Sequence, residues 1–209
     1  LTPDPRPVAW MVGVSAITAT LTTIFMGTLS DRTRAKLGRR KPYILFGYIL
    51  WGVATALFPT VAFIKVTSVA VVMVVLADAV MTFFGSTAND AAFNAWTTDI
   101  TDTSNRGRVE SVLQIAVFIA NIITFVVAGM IIDTFGYFIF FYALGAIVIV
   151  SGIVAGGMLR EPEIPIEDLN AERPPYLQEL VSAFRWDTVR ENPILFLLLL
   201  NIMIFSIGM

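Results

Sequence analysis

A short cationic loop between two apolar runs is the feature that most constrains the fold of this chain. Residues 32–41 contain six Lys and Arg side chains, yet the stretches on both sides of them are hydrophobic. A soluble protein has little reason to join two apolar helices through six cations, whereas membrane proteins keep short basic loops on the cytoplasmic side of the bilayer. The composition agrees, because 56% of the residues are hydrophobic and only 14% are charged, with a mean hydropathy of +0.78. The sequence therefore predicts an all-α, polytopic membrane helix bundle.

The apolar runs are about as long as a helix needs to be to cross a hydrocarbon core roughly 30 Å thick. After the third run, residues 90–105 are expected to bring the chain back to the cytoplasmic side. Residues 1–159 then form one transmembrane bundle. Its predicted membrane-spanning helices are residues 8–29, 43–64, 68–89, 109–132 and 137–159.

A hydrophilic connector follows at residues 160–192. Within it, Tyr176, Leu180 and Phe184 recur every four residues, which predicts an amphipathic helix on the inner membrane surface. A plain flexible linker is the alternative. Residues 193–209 are apolar again and predict the start of a further transmembrane helix. Because the sequence begins without Met and ends inside this apolar run, we expect it to be a piece of a longer protein.

The positions of the cations predict the orientation of the helices. Twelve of the 14 Lys and Arg residues fall in loops 30–42, 97–108 and 160–192. By the positive-inside rule, these three loops are expected to be cytoplasmic. The protein is then an integral protein of the plasma or cytoplasmic membrane.

Two residue types are absent from the sequence, and their absence excludes several kinds of chemistry. The chain has no Cys and no His, so it cannot use disulfides, thiol nucleophiles or His-based metal and acid–base sites. A membrane-embedded hydrolase would need a nucleophile–base pair or metal ligands within the bilayer, and the chain offers neither. We therefore expect no enzyme activity, no cofactor, no metal and no nucleic-acid partner.

The cationic loop also resembles a known pattern. Gly27, Asp31 and Arg32, followed after five intervening residues by Gly38, Arg39 and Arg40, resemble the loop between helices 2 and 3 of the major facilitator superfamily. The longer form of the motif is most similar to the sucrose transporter branch, and next to the melibiose-type (glycoside–pentoside–hexuronide) carriers. An ordinary basic loop that only sets topology is the alternative. The resemblance implies that the chain covers family helices 2 to 6 and the start of helix 7, with helix 1 and helices 8–12 in the rest of the protein.

A second stretch, residues 94–108, resembles the junction between helices 4 and 5 of the same superfamily. There, an acidic residue before an Arg-Gly pair faces the basic loop, and such opposite charges can hold helix ends together in one conformation and release them in another. A solvated surface ion pair of little energetic consequence is the alternative. The residues that the resemblance assigns to this gating region are Gly27, Asp31, Arg32, Gly38, Arg39, Arg40, Asp99 and Arg106.

Polar side chains inside the third span predict a cavity. Asp78 lies ten residues in from Ser68, near the membrane midplane, where an ionisable residue is costly and indicates function. A structural Asp that bonds a neighbouring helix is the alternative. On the first span, Ser15, Thr18 and Thr22 share one face, which either packs against a helix or lines the same cavity. The expected cavity residues are Asp78, Thr82, Ser86, Asn89, Asp90, Asn94, Gln114 and Asn121.

Departures from the two branches narrow the function that the resemblance implies. Melibiose-type carriers bind Na⁺ through acidic residues where this chain has Ala19 and Thr23, and sucrose transporters carry an Arg where it has Asn94. Sodium coupling and sucrose are therefore disfavoured. The expected function is secondary active transport of a sugar or glycoside by alternating access, with proton symport. A lipid, lysolipid or other solute carrier of the same fold and a non-transporting membrane sensor are the alternatives.

Overall fold

The structure is a computed structural model in which the chain forms two compact units, Leu1–Glu163 and Ile164–Met209. In the second unit, the described residues are helical. Leu180 and Phe184, two members of the predicted amphipathic helix, lie outside the described residues, so that helix stays a prediction. The residues that the structure describes are 6–161, 176, 190, 193–194, 196–198 and 200–201.

The first unit is built from helices alone, and no β-strand occurs between residues 6 and 161. Four helical stretches of the described chain are long and apolar enough to cross a membrane. The predicted all-α membrane helix bundle is thus confirmed. In chain order the elements are α1 (Arg6–Arg32), α2 (Lys41–Leu57), a 3₁₀ turn (Phe58–Phe63), α3 (Thr67–Gly85), a π-helical segment (Ser86–Phe93), α4 (Asn94–Asp99) and α5 (Arg106–Met158).

The last helix, α5, is two helical rods joined at Gly136. Its 53 residues cover both of the spans predicted at 109–132 and 137–159. Gly136 has φ 83° and ψ 170°, a left-handed backbone conformation that glycine adopts without steric cost. The chain therefore changes direction at this residue, and each rod is long enough to cross the membrane.

The third helical span is longer than the sequence predicted. It was expected to end near Asn89, with residues 90–105 as a return segment, but helical structure continues through the π-helical segment to Asp99. In that segment the backbone N–H of Asn94 bonds the carbonyl of Asn89, five residues earlier. Its small residues pack closely, and Ala88 and Ala92 have no exposed surface. The polar residues suggested a helix end, whereas they lie inside a buried helical stretch.

Glycines allow the helices of the bundle to approach closely. A Cβ on Gly52 of α2 would lie 2.6 Å from the carbonyl oxygen of Gly145 on α5, so neither helix has room for a side chain there. In the same way, Gly47 of α2 faces Ala88 of the π-helical segment. Helices in a bilayer associate largely through such close van der Waals packing, because lipid is as apolar as their side chains. The π-helical segment and the second rod of α5 are thus both packed against α2.

Candidate functional site

Charged side chains from three helix ends meet around one buried arginine. Arg40, which is only 5% exposed, forms ion pairs with Asp31 at the end of α1 and with Asp99 at the end of α4. Its Nη1 also donates to the Ser30 hydroxyl at 2.7 Å. Arg39 Nη2 lies 2.6 Å from the same Asp99 carboxylate. The structure therefore brings Asp31, Arg39, Arg40 and Asp99 of the predicted gating region into direct contact.

A fifth charge, Glu161, was missed by the sequence reasoning. It follows α5, and its carboxylate accepts the backbone N–H groups of Arg39, Arg40 and Lys41, the Arg40 bond being 2.7 Å long. Arg39 and Arg40 directly precede α2, and Lys41 is its first residue. N–H groups at a helix N-terminus lack intrahelical acceptors, and the helix dipole favours an anion there. The available signal was an acidic residue directly after an apolar span, on the same side as the basic loop. We call Asp31, Arg39, Arg40, Asp99 and Glu161 the end cluster.

The glycine of the basic loop has a steric role in this contact. Gly38 has a φ of 108°, and a Cβ at this position would lie 2.5 Å from the carboxyl carbon of Glu161. Any other residue would therefore strain the backbone and displace the carboxylate. Gly27, by contrast, has open space where its Cβ would be, and Arg32 is a half-buried residue at the end of α1.

Arg106 stabilises the turn between α4 and α5 instead of joining the end cluster. Its guanidinium donates to the Thr98 carbonyl and the Thr101 hydroxyl, both at 3.3 Å. In the same turn, Asp102 accepts the hydroxyl and the backbone N–H of Ser104. These bonds from Ser104 lower the pKa of the Asp102 carboxyl, because they favour its ionised form. These hydrogen bonds stabilise the turn at the point where α5 begins.

A cavity of about 340 Å³ lies between α1, α2, the end of α3 and the π-helical segment. One wall is polar, and its side chains are connected: the Tyr48 hydroxyl donates to Asn89 Oδ1 at 3.1 Å, and Asn89 Nδ2 donates to Asp90 Oδ1 at 3.0 Å. Four of the predicted cavity residues, Thr82, Ser86, Asn89 and Asp90, line this space. The complete lining is Ala19, Trp51, Met81, Thr82, Gly85, Ser86, Asn89 and Asp90.

Asp78 has a different neighbour. Its carboxylate accepts a hydrogen bond from the Ser15 hydroxyl of α1, and within the described chain Asp78 does not line the 340 Å³ cavity. A serine hydroxyl can donate to a carboxylate and can also accept from a carboxylic acid. The pair can therefore persist whether or not Asp78 carries a proton.

Besides Asp78, three predicted cavity residues are not brought to the cavity. Asn94 is exposed, because the wide turn of the π-helical segment breaks the α-helical spacing that linked it to Asp90. Gln114 and Asn121 lie on the first rod of α5, which is exposed along most of its length in the described unit. The expected grouping of these amides with Asp78 is therefore absent from residues 6–161.

The whole sequence, residues 1–209, matches the family model described as Major Facilitator Superfamily. The chain belongs to this superfamily. Searches of curated proteins and of solved structures returned no match. Members of the superfamily are secondary transporters and not enzymes, so the protein is an integral membrane transporter. In a major facilitator protein, ion pairs between helix ends can form in one conformation and break in another. A polar cavity between the helices can receive a solute.

Proposed function

We propose that this major facilitator protein carries a sugar or glycoside across the plasma membrane by alternating access, with proton symport. The observation that supports this most is the polar wall of the 340 Å³ cavity, formed by Asn89 and Asp90 with Thr82 and Ser86 beside them. Amide, carboxylate and hydroxyl groups can bond the many hydroxyls of a carbohydrate. The volume also falls within the range of about 300–1,000 Å³ typical of small-ligand pockets.

Asp78 supports the proton-coupled part of the proposal. The sequence has no Lys or Arg between Arg6 and Arg32 or between Lys65 and Arg106, so these stretches of α1 and α3 provide no cation for its carboxylate. An ionisable residue inside a membrane bundle is costly, and its presence there indicates a functional site. The Ser15 hydroxyl can bond either protonation state. Asp78 therefore has the properties of a group that loads and releases the coupling proton.

The end cluster supports alternating access. Arg40 joins the ends of α1 and α4, and Glu161 joins the end of α5 to the N-terminus of α2. We place this end of the bundle in the cytoplasm because the basic loops cluster there. Closing these contacts would hold one conformation, and opening them would allow the other. The motif around Gly38 favours the sucrose and melibiose-type branches. Asn94 argues against sucrose as the substrate, and Ala19 and Thr23 argue against sodium as the coupling ion.

The test is uptake by the full-length protein in vesicles under an imposed proton gradient. We expect accumulation of a radiolabelled sugar or glycoside in the wild type. Asp78→Asn keeps the hydrogen bond to Ser15 but cannot cycle a proton, so it should abolish uphill accumulation while downhill exchange stays measurable. Asp133→Asn, which changes an exposed Asp on α5, is the matched control and should accumulate normally. Full accumulation by a normally inserted Asp78→Asn protein would end the proton proposal.

A lysolipid carrier is the second candidate. A larger space of about 620 Å³ lies between the 3₁₀ turn, α3 and α5, and its walls are mainly aromatic and aliphatic, with Phe58, Phe138 and Phe141 among them. Such walls suit an acyl chain better than a sugar. Competition in the same vesicles separates the candidates: inhibition by lysolipids and not by sugars would replace the sugar proposal. Sugar binding without uptake would indicate a sensor of the same fold.

A further inference from the structure

The 340 Å³ cavity has an aromatic side chain as well as polar ones in its lining. Trp51 of α2 lines it, and the indole ring lies against the bare backbone of Gly85, where a Cβ would be 3.1 Å from Trp51 Cε2. Tyr48 packs beside Trp51, with ring centroids 5.7 Å apart and an interplanar angle of 36°. The indole therefore lies between Tyr48 and the backbone of Gly85, where a side chain at residue 85 would crowd it.

The same tyrosine orients the polar wall. Its hydroxyl donates to Asn89 Oδ1, which turns the amide nitrogen of Asn89 toward Asp90 Oδ1. An ionised carboxylate has about four acceptor positions, so the bond from Asn89 leaves Asp90 able to accept further donors from a ligand in the cavity. The wide turn of the π-helical segment places these adjacent residues together at the cavity, and such turns occur often at functional sites.

Asp78 and Asp90 of this helical stretch are well separated. Asp90 follows Asp78 by twelve residues, which is about 18 Å at the α-helical rise of 1.5 Å per residue. Asp78 is bonded by Ser15 of α1, whereas Asp90 faces the cavity beside Trp51. Two acidic groups in such different surroundings are suited to different tasks.

We infer that Asp90 and Trp51 bind the transported solute, while Asp78 is left to carry the proton. The inference rests on the proposed function and adds the docking geometry. The ligand is a neutral polyhydroxylated ring: its C–H face packs on the indole, and adjacent hydroxyls donate to the Asp90 carboxylate. Tyr48 is a positioning residue, because it holds both Trp51 and the Asn89 amide. A carboxylate beside an indole would also suit an organic cation, which is the competing ligand.

The experiment measures the KM of downhill exchange in vesicles with the full-length protein and the sugar that the wild type transports. Trp51→Ala should raise the KM about tenfold, and Trp51→Phe less than threefold, because phenylalanine keeps an aromatic face. Asp90→Asn should raise the KM by about tenfold, since an amide accepts fewer hydroxyl bonds. Trp10→Ala, which removes an indole that is 70% exposed near the start of α1, is the matched control and should match the wild type.

Two further readouts separate docking from a general loss of structure. In Asp78→Asn, the KM of exchange should stay within about twofold while proton-driven accumulation is lost, the opposite of the pattern in Asp90→Asn. In the wild type, deoxy-sugars that lack the hydroxyl bonded by Asp90 should compete less well with the transported sugar than the complete sugars do. This difference between deoxy-sugars and complete sugars should be smaller in Asp90→Asn. Tyr48→Phe keeps the ring and should raise the KM by a few fold.

The outcomes distinguish this inference from the proposed function. If the wild type transports no sugar, both the proposed function and this inference are wrong. If sugar is transported and Trp51→Ala and Asp90→Asn keep the wild-type KM, the docking geometry is wrong while the proposed function stands. Should Trp51→Ala fail to insert, Asp90→Asn and Tyr48→Phe decide in its place. Competition by organic ammonium ions that is lost in Asp90→Asn, without competition by sugars, would overturn the inference in favour of a cation carrier.

Discussion

Glu161 shows how one side chain can organise the end of a helix bundle. Its carboxylate accepts three consecutive backbone N–H groups at the start of α2, and no side chain of α2 itself caps that helix. Nearby, Lys41 Nζ donates to the Leu159 carbonyl and Trp96 Nε1 donates to the Arg160 carbonyl. The end of α5 is therefore tied both to α2 and to α4.

We expect Glu161→Gln to destabilise the transporter by about 1–2 kcal/mol, because an uncharged amide bonds the helix N-terminus less strongly than a carboxylate. The measurement is the thermal unfolding midpoint of the purified full-length protein in detergent. Glu110→Gln, which changes an exposed acidic residue on α5, is the control and should leave the midpoint almost unchanged. An equal midpoint for Glu161→Gln and the wild type would show that the cap contributes nothing.

At the scale of single residues, the sequence carried more information about the charge contacts than about the cavity. Arg39, Arg40 and Asp99 were placed in one region by a known motif, and in the structure their charges are in contact. Glu161 lies more than 100 residues from the basic loop, and no local spacing connects the two. Tyr48 and Trp51 were missed for a related reason: on an apolar helix, an aromatic residue gives no sequence signal for which neighbour it faces.

At the scale of elements, the π-helical segment decides which polar residues meet. Regular α-helical spacing put Asn94 on a stripe beside Asn89, but the wide turn between them changes the register, and Asn94 is exposed. A sequence shows the period of a helix only while that period is constant. The break in α5 was easier to predict, because the polar and glycine residues around Gly136 separate two apolar runs.

Close packing of α2 on α5 leads to a prediction about glycine. A Cβ on Gly145 would lie 2.5 Å from the Gly52 carbonyl oxygen and 2.9 Å from the Ala56 Cβ, so the two backbones would have to move apart. We expect Gly145→Ala to destabilise the bundle by about 1–3 kcal/mol, in spite of alanine's higher helix propensity. Thermal unfolding in detergent measures the change.

Gly129→Ala on the other rod of α5 is the matched control, since nothing lies within 4 Å of its Cβ. Without a clash, the higher helix propensity of alanine should leave this variant as stable as the wild type or slightly more stable. If Gly145→Ala were as stable as Gly129→Ala, the α2–α5 contact would be looser than the structure describes.

At the scale of the whole molecule, the first question is orientation. The six cations of residues 32–41 lie at the same end of the bundle as the end cluster, and the positive-inside rule places that end in the cytoplasm. We expect a single cysteine in the Lys36→Cys variant, made in a full-length protein without other cysteines, to be protected from an impermeant reagent in intact cells. It should react once the cells are opened. Reaction from outside would reverse the topology.

The last prediction concerns the conformational balance of the transporter. Arg40 is almost fully buried and pairs with two carboxylates, so removal of one of them leaves part of its charge without compensation. Asp31→Asn removes one partner of Arg40, whereas Asp99→Asn removes a partner shared by Arg39 and Arg40. Both variants should therefore slow transport, and Asp99→Asn should slow it more.

The substrate affinity of these variants should change little, because neither Asp31 nor Asp99 lines the 340 Å³ cavity in the described chain. The change alters the population of the state in which the end cluster is closed, and a shift of about 1.4 kcal/mol in that equilibrium is tenfold in population. Exchange kinetics give turnover and KM separately. In the Ser86→Cys variant, reaction with thiol reagents added from each side of the membrane reports the population of the closed state. A large rise in KM at normal turnover would instead make the end cluster part of a binding site.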